Sequence, residues 1–94
     1  MVYDMAASGE RIRQLRKTKG MTQEQLAGKL HIGERHLRRI EAGEKGPSVD
    51  ILVEISTLFS VSLDYIIIGK RPKDEIKQRL HIALKDLSSL IDEL

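Results

Sequence analysis

The chain has 94 residues, 40% hydrophobic and 32% charged, a balance that fits one soluble globular domain with an added element and excludes a disordered tail. It has no cysteine, which excludes disulfides and thiolate metal sites, and its longest apolar run, Ile66-Ile67-Ile68, is far short of the ~20 residues of a membrane span. Net charge is only +2, but residues 9–70 hold 11 Lys/Arg against 8 Asp/Glu while residues 71–94 hold 5 of each. The segment Met1 to Ser8 has neither a basic start nor a long apolar stretch, so a secretory signal is not expected and a cytoplasmic address is.

No alternation of apolar and polar residues persists long enough for a strand, whereas capped helical periodicity recurs along the whole chain. The expected class is all-α. Residues 1–8 form an N-terminal segment, and the first helix is expected from Gly9 or Glu10 to Lys19, with Ile12 and Leu15 inward and Gly20 as its left-handed stop. The second helix has the clearest start. Thr22 is a good N-cap, Gln25 three positions on completes a capping box, and Met21 and Leu26 form a hydrophobic staple. A break at His31-Ile32-Gly33 precedes a third helix from about Glu34 to Ala42, stopped by Gly43.

Ser48 caps a fourth helix, with Asp50 complementing the dipole in its first turn. Val49, Ile51, Leu52, Val53, Ile55, Leu58 and Phe59 occupy more than one of its faces, which predicts a helix central to the core. Ser62 caps a short fifth helix that ends at Gly69, and Pro72 suits the first position of a last helix reaching Leu94.

Function is carried by the third helix. Its apolar pair, Leu37 and Ile40, falls on one side, and Arg35, Arg38 and Arg39 share an outward arc on the other, with Glu34 and small Ala42 beside them. The planar guanidinium fork matches guanine O6/N7 and phosphate oxygens, and a small residue lets a helix approach a groove floor. The three histidines are scattered, and there is no P-loop or GxGxxG, so neither a metal, nor a cofactor, nor enzymatic activity is expected.

The segments GERIRQLRKTKGMTQEQLAGKL, HLRRIEAGEKGPS and LVEISTLFSVSLDYIIIG, spread over Gly9 to Gly69, resemble in order and spacing the lambda-repressor/Cro-like helix-turn-helix family, also called XRE. The resemblance implies a five-helix DNA-binding domain at 9–69 whose third helix enters the major groove of double-stranded DNA. It implies base-reading roles for Glu34, Arg35 and Arg39. Phosphate or flanking contacts fall to Thr22, Gln23, Arg38 and Lys45, and Arg16 and Glu41 form a structural ion pair. Two positions depart from the family pattern: His31 stands where the turn usually has a left-handed glycine, and Gly33 where the recognition helix usually starts with Ser or Thr. Glu34 beside a polyanion either accepts from cytosine N4 or bridges to Arg35 or Arg38, and the bridging role is favoured.

Residues 70–94 lie outside that resemblance. Ile76, Leu80, Ala83, Leu87, Leu90 and Leu94 are spaced as a heptad seam, widened by Leu84 and Ile91, which predicts an amphipathic dimerisation helix. The expectation is a homodimeric transcriptional repressor that reads an inverted repeat and associates with the nucleoid. The alternative is a protein-partner module, such as an antitoxin or a partner-controlled regulator, whose last helix binds another protein.

Overall fold

The computed structural model describes the backbone of residues 2–70 and 72–93 and their side chains, except those of 72–76 and 78. Among the described residues there are six helices and no strand: α1 (Met5–Thr18), α2 (Gln23–Leu30), α3 (Glu34–Glu41), α4 (Val49–Phe59), α5 (Leu63–Ile68) and α6 (Pro72–Asp92).

The boundaries follow side-chain capping. Thr22 accepts from the Gln25 amide at 3.1 Å while the Gln25 side chain accepts from the Thr22 amide at 2.9 Å, a complete capping box. Ser48 and Ser62 cap α4 and α5 in the same sense, accepting from the amides of Ile51 and Tyr65. His31 ends α2 in the left-handed conformation (φ 55°), a role its short polar ring tolerates, and Gly33 caps α3 with no side-chain hydrogen bond.

The first helix begins four or five residues earlier than the sequence suggests. Asp4 accepts from the Ala7 amide at 3.0 Å and starts the helix at Met5, so residues 5–8 are part of α1. Ser8 and Gly9 are buried where α1 crosses α3. A Cβ at Gly9 would collide with the carbonyl oxygens of Ile40 and Glu41, so only glycine permits that approach.

Ile12 of α1, Leu26, Ala27 and Leu30 of α2, Leu37 and Ile40 of α3, Leu52, Ile55 and Phe59 of α4 and Ile66 of α5 make one core. Each large side chain among them stabilises the fold by ~1.5–3 kcal/mol. The fourth helix is less central than its composition suggests. Leu52, Ile55 and Phe59 are buried, but Val49 is 73% exposed and Val53 and Leu58 also face outward. In a domain this small the helices packed on α4, chiefly α2 and α5, cover only one stripe of it, and the remaining apolar residues stay at the surface.

Beyond Gly69, itself the left-handed cap of α5, α6 extends the molecule to 64 × 29 × 19 Å. Leu80, Ala83, Leu84, Leu87, Leu90 and Ile91 are all exposed on it. The side chain of Ile76 and residue Leu94, both assigned to the same seam, lie outside the described residues. Among the described residues no helix is long and apolar enough to cross a membrane.

Candidate nucleic-acid interface

Leu37 and Ile40 are fully buried and fasten α3 to the core, which turns Arg35, Arg38 and Arg39 outward, all exposed. Together with Ala42 and Glu44, the three arginines line one shallow concavity. Ala42 has too little side chain to obstruct an approaching surface there.

The position of this face depends on a buried ionic junction behind it. Arg16 donates from Nε to Glu41 Oε2 at 2.8 Å and from Nη2 to Glu41 Oε1 at 3.0 Å, and its Nη1 donates to the Met21 carbonyl at 2.8 Å. The guanidinium therefore ties α1, the turn before α2 and the end of α3 together. Glu41 Oε1 also accepts from Gln23 Nε2 at 3.2 Å, and Gln23 Oε1 in turn accepts from Arg38 Nε at 3.4 Å. A chain Arg16–Glu41–Gln23–Arg38 thus runs from the interior to the exposed arginine face. Buried charge is tolerable here because both members are paired and hydrogen-bonded.

The exposed arginines differ in their partners. Arg38 Nη2 pairs with Glu34 Oε1 at 3.1 Å, one turn apart on α3. Arg39 Nε lies 3.7 Å from Glu44 Oε2 in the following loop. Arg35 has no ion pair among the described residues. Glu34 therefore bridges to Arg38 in the free protein. The acid that sequence reasoning overlooked is Glu44; it lies beyond the helix stop at Gly43, where the turn folds it back on Arg39 and periodicity says nothing.

A second concavity is lined by Ala6, Glu10 and Arg13 of α1 with Gln23, Arg38, Glu41 and Ala42. Arg13 is 44% exposed and pairs with Glu10 at 3.4 Å. A hydrogen bond from Gln14, with Arg13 and Lys17 adding to it, holds the Glu10 carboxyl below its ordinary value. Arg13 sits among the α1 basic residues in the sequence, but only the crossing of α1 over α3 puts it beside Gln23. Thr22 is exposed at the start of α2, and Lys45 is exposed in the α3–α4 loop, outside both concavities. Among the described residues no group of acids and histidines is arranged to hold a metal ion.

Comparison with known proteins identifies relatives of this fold. ImmR of Bacillus subtilis, an HTH-type transcriptional regulator, is 34% identical over 88 residues that span 92% of this chain and 66% of ImmR, so the chain covers just under two thirds of that relative. The P22 c2 repressor, solved in complex with a synthetic operator, superposes with a TM-score of 0.63 at 28% identity over 67% of this chain and 96% of that one. SinR of Bacillus subtilis, a master regulator for biofilm formation solved in complex with DNA, gives 0.58 at 33% identity, over 63% of this chain and 95% of that one. Residues 12–66, most of the five-helix domain, match the family described as helix-turn-helix, HTH_3. On the all-helical fold, the matched residues and these repressor-like neighbours, the chain belongs to the HTH_3 (XRE) helix-turn-helix family and carries its lambda-repressor-like DNA-binding domain.

Proposed function

We propose that this chain is a sequence-specific regulator of transcription that represses by occupying an inverted-repeat operator as a homodimer, with α3 in the major groove. The observation that carries the proposal is the exposed arginine face of α3, directed away from Leu37 and Ile40 and anchored through Gln23 to the buried Arg16–Glu41 pair. Arg35 and Arg39 are the base-reading side chains, with Glu34 orienting Arg38 by its ion pair and meeting a base edge when that pair opens. Gln23, Thr22, Arg38 and Lys45 contact phosphates or flanking positions, where the free amides at the start of α2 also favour an anion. The P22 c2 repressor, solved in complex with a synthetic operator, supports the DNA-binding role. A protein of this kind works in the cytoplasm, on the nucleoid.

One module makes few base contacts, and a twofold pair reads two half-sites about one helical turn apart. The unburied seam of α6 supplies the pairing surface. The same seam also favours a second reading, in which α6 binds a different protein that controls DNA binding. Selection of bound duplexes from a random pool at near-physiological salt tests the first reading. Enrichment of an inverted repeat supports it; salt-sensitive binding with no enriched sequence overturns it. Affinity capture from the source cells tests the second, and recovery of this chain and DNA alone counts against it.

A further inference from the structure

From residue 77 onward the charges of α6 are sorted by sign along the helix, after a mixed first turn of Lys73, Asp74 and Glu75. In its described part, Lys77, Arg79 and Lys85 occupy the first half and Asp86, Asp92 and Glu93 the second, with no opposite charge in either. At its C-terminal end this order is disfavoured in an isolated helix, because the helix C-terminus already carries partial negative charge and α6 has no basic residue in its last turn. A neighbouring helix running the opposite way removes the penalty, setting each basic half beside an acidic one.

The apolar seam has the same centre of symmetry. Opposed head to tail, Leu80 meets Leu90 of a second copy and Ala83 meets Leu87, with the midpoint at residue 85, where the charge changes sign. Every layer then contains at least one leucine, and the small Ala83 faces a large side chain, as uniform packing requires. Run in parallel, the same helices would place Ala83 against Ala83 and leave a void. Along the flanks, antiparallel pairing brings Arg79 near Glu93 of the second copy, Leu84 near its own mate and Ile91 over the Lys77 stem. Asp86 near its mate is the one unfavourable pair.

We infer that α6 dimerises as an antiparallel two-helix coiled coil with a second copy of this chain, the two DNA-binding domains leaving from opposite ends. The inference rests on the homodimer proposed above and adds its direction.

The chain has no cysteine, so introduced thiols report only on the helix pair. Leu80→Cys and Leu90→Cys chains, mixed in equal amounts and oxidised, are expected to cross-link to each other. Neither is expected to cross-link to itself, because like positions lie ~15 Å apart at 1.5 Å per residue and a disulfide needs Cα atoms within ~7 Å. Self-linked Leu80→Cys dimers overturn the antiparallel direction and leave the dimer standing. Sedimentation of the unaltered chain as a monomer at tens of micromolar overturns both the direction and the dimer. A dimer in which no α6 pair cross-links overturns the inference by placing the contact elsewhere. Should the cysteines themselves weaken pairing, charge exchange decides. Arg79→Glu is expected to weaken dimerisation by about tenfold at low salt, acting at two symmetry-related pairs, and adding Glu93→Arg restores it. No restoration in the double variant overturns the inference.

Discussion

The guanidinium of Arg16 grips both oxygens of Glu41 although 25 residues separate them, and Gln23 attaches to the same carboxylate. With the Arg16 side chain 10% exposed and that of Glu41 3% exposed, the junction is nearly dry. Glu41→Ala leaves a buried guanidinium without its anion and is expected to destabilise the fold by ~3–5 kcal/mol in urea titrations. Arg16→Met with Glu41→Leu removes both charges together and is expected to cost less than the single change. An unaltered denaturation midpoint for Glu41→Ala contradicts the junction.

Ser8 and Gly9 adjoin one another at the α1–α3 crossing and are expected to respond oppositely to alanine. The Ser8 hydroxyl is buried with no hydrogen-bond partner among the described residues, so Ser8→Ala is expected to be neutral or stabilising by up to ~1 kcal/mol. Gly9→Ala drives a methyl group into the Ile40 and Glu41 carbonyls and is expected to lose ~1–3 kcal/mol. Thermal melts of the two variants check both.

Gln23 and Arg39 are expected to separate affinity from specificity. Gln23→Ala removes the link between Glu41 and Arg38 together with the proposed phosphate contact, and is expected to weaken binding to every duplex alike. Arg39→Ala relaxes preference by ~1–3 kcal/mol at one position in each half-site. Competition binding against single-base operator variants distinguishes them, and equal losses on all sequences for Arg39→Ala would refute its base-reading role.

Glu44 restrains Arg39 from a loop, at 3.7 Å and with both side chains largely exposed. Glu44→Gln removes one negative charge from the concavity lined by the α3 arginines without changing its shape. Non-specific affinity is expected to rise by about three- to tenfold at low salt, the gain fading as ionic strength screens it. Filter binding across a salt series checks this, and a gain that survives high salt would point to a cause other than charge.

Helix positions and the arginine face were legible in the sequence because their causes are local. Thr22, Ser48 and Ser62 cap within three residues, left-handed stops follow from Gly20 and Gly69, and the placing of Leu37 and Ile40 follows from helical period alone. The missed start of α1 is also local: Asp4 is a good cap, obscured because Ser8 and Gly9 resemble a helix boundary until α3 packs against them.

What needed the tertiary structure depends on residues distant in sequence or on how much surface the neighbouring helices cover. Only the crossing of α1 over α3 sets Arg13 beside Gln23 and closes the chain from Arg16 to Arg38. Only the size of the domain leaves Val49 and Val53 at the surface of a helix whose composition would bury them. Glu44 reaches Arg39 because the backbone turns at Gly43, with φ at 76°, and no periodic pattern extends past such a turn. The sequence by itself determined the six helices and the sign of the exposed α3 face, since each depends on residues within about one turn. The fold decided which charges hold one another, since Coulombic attraction depends on distance in space and not along the chain.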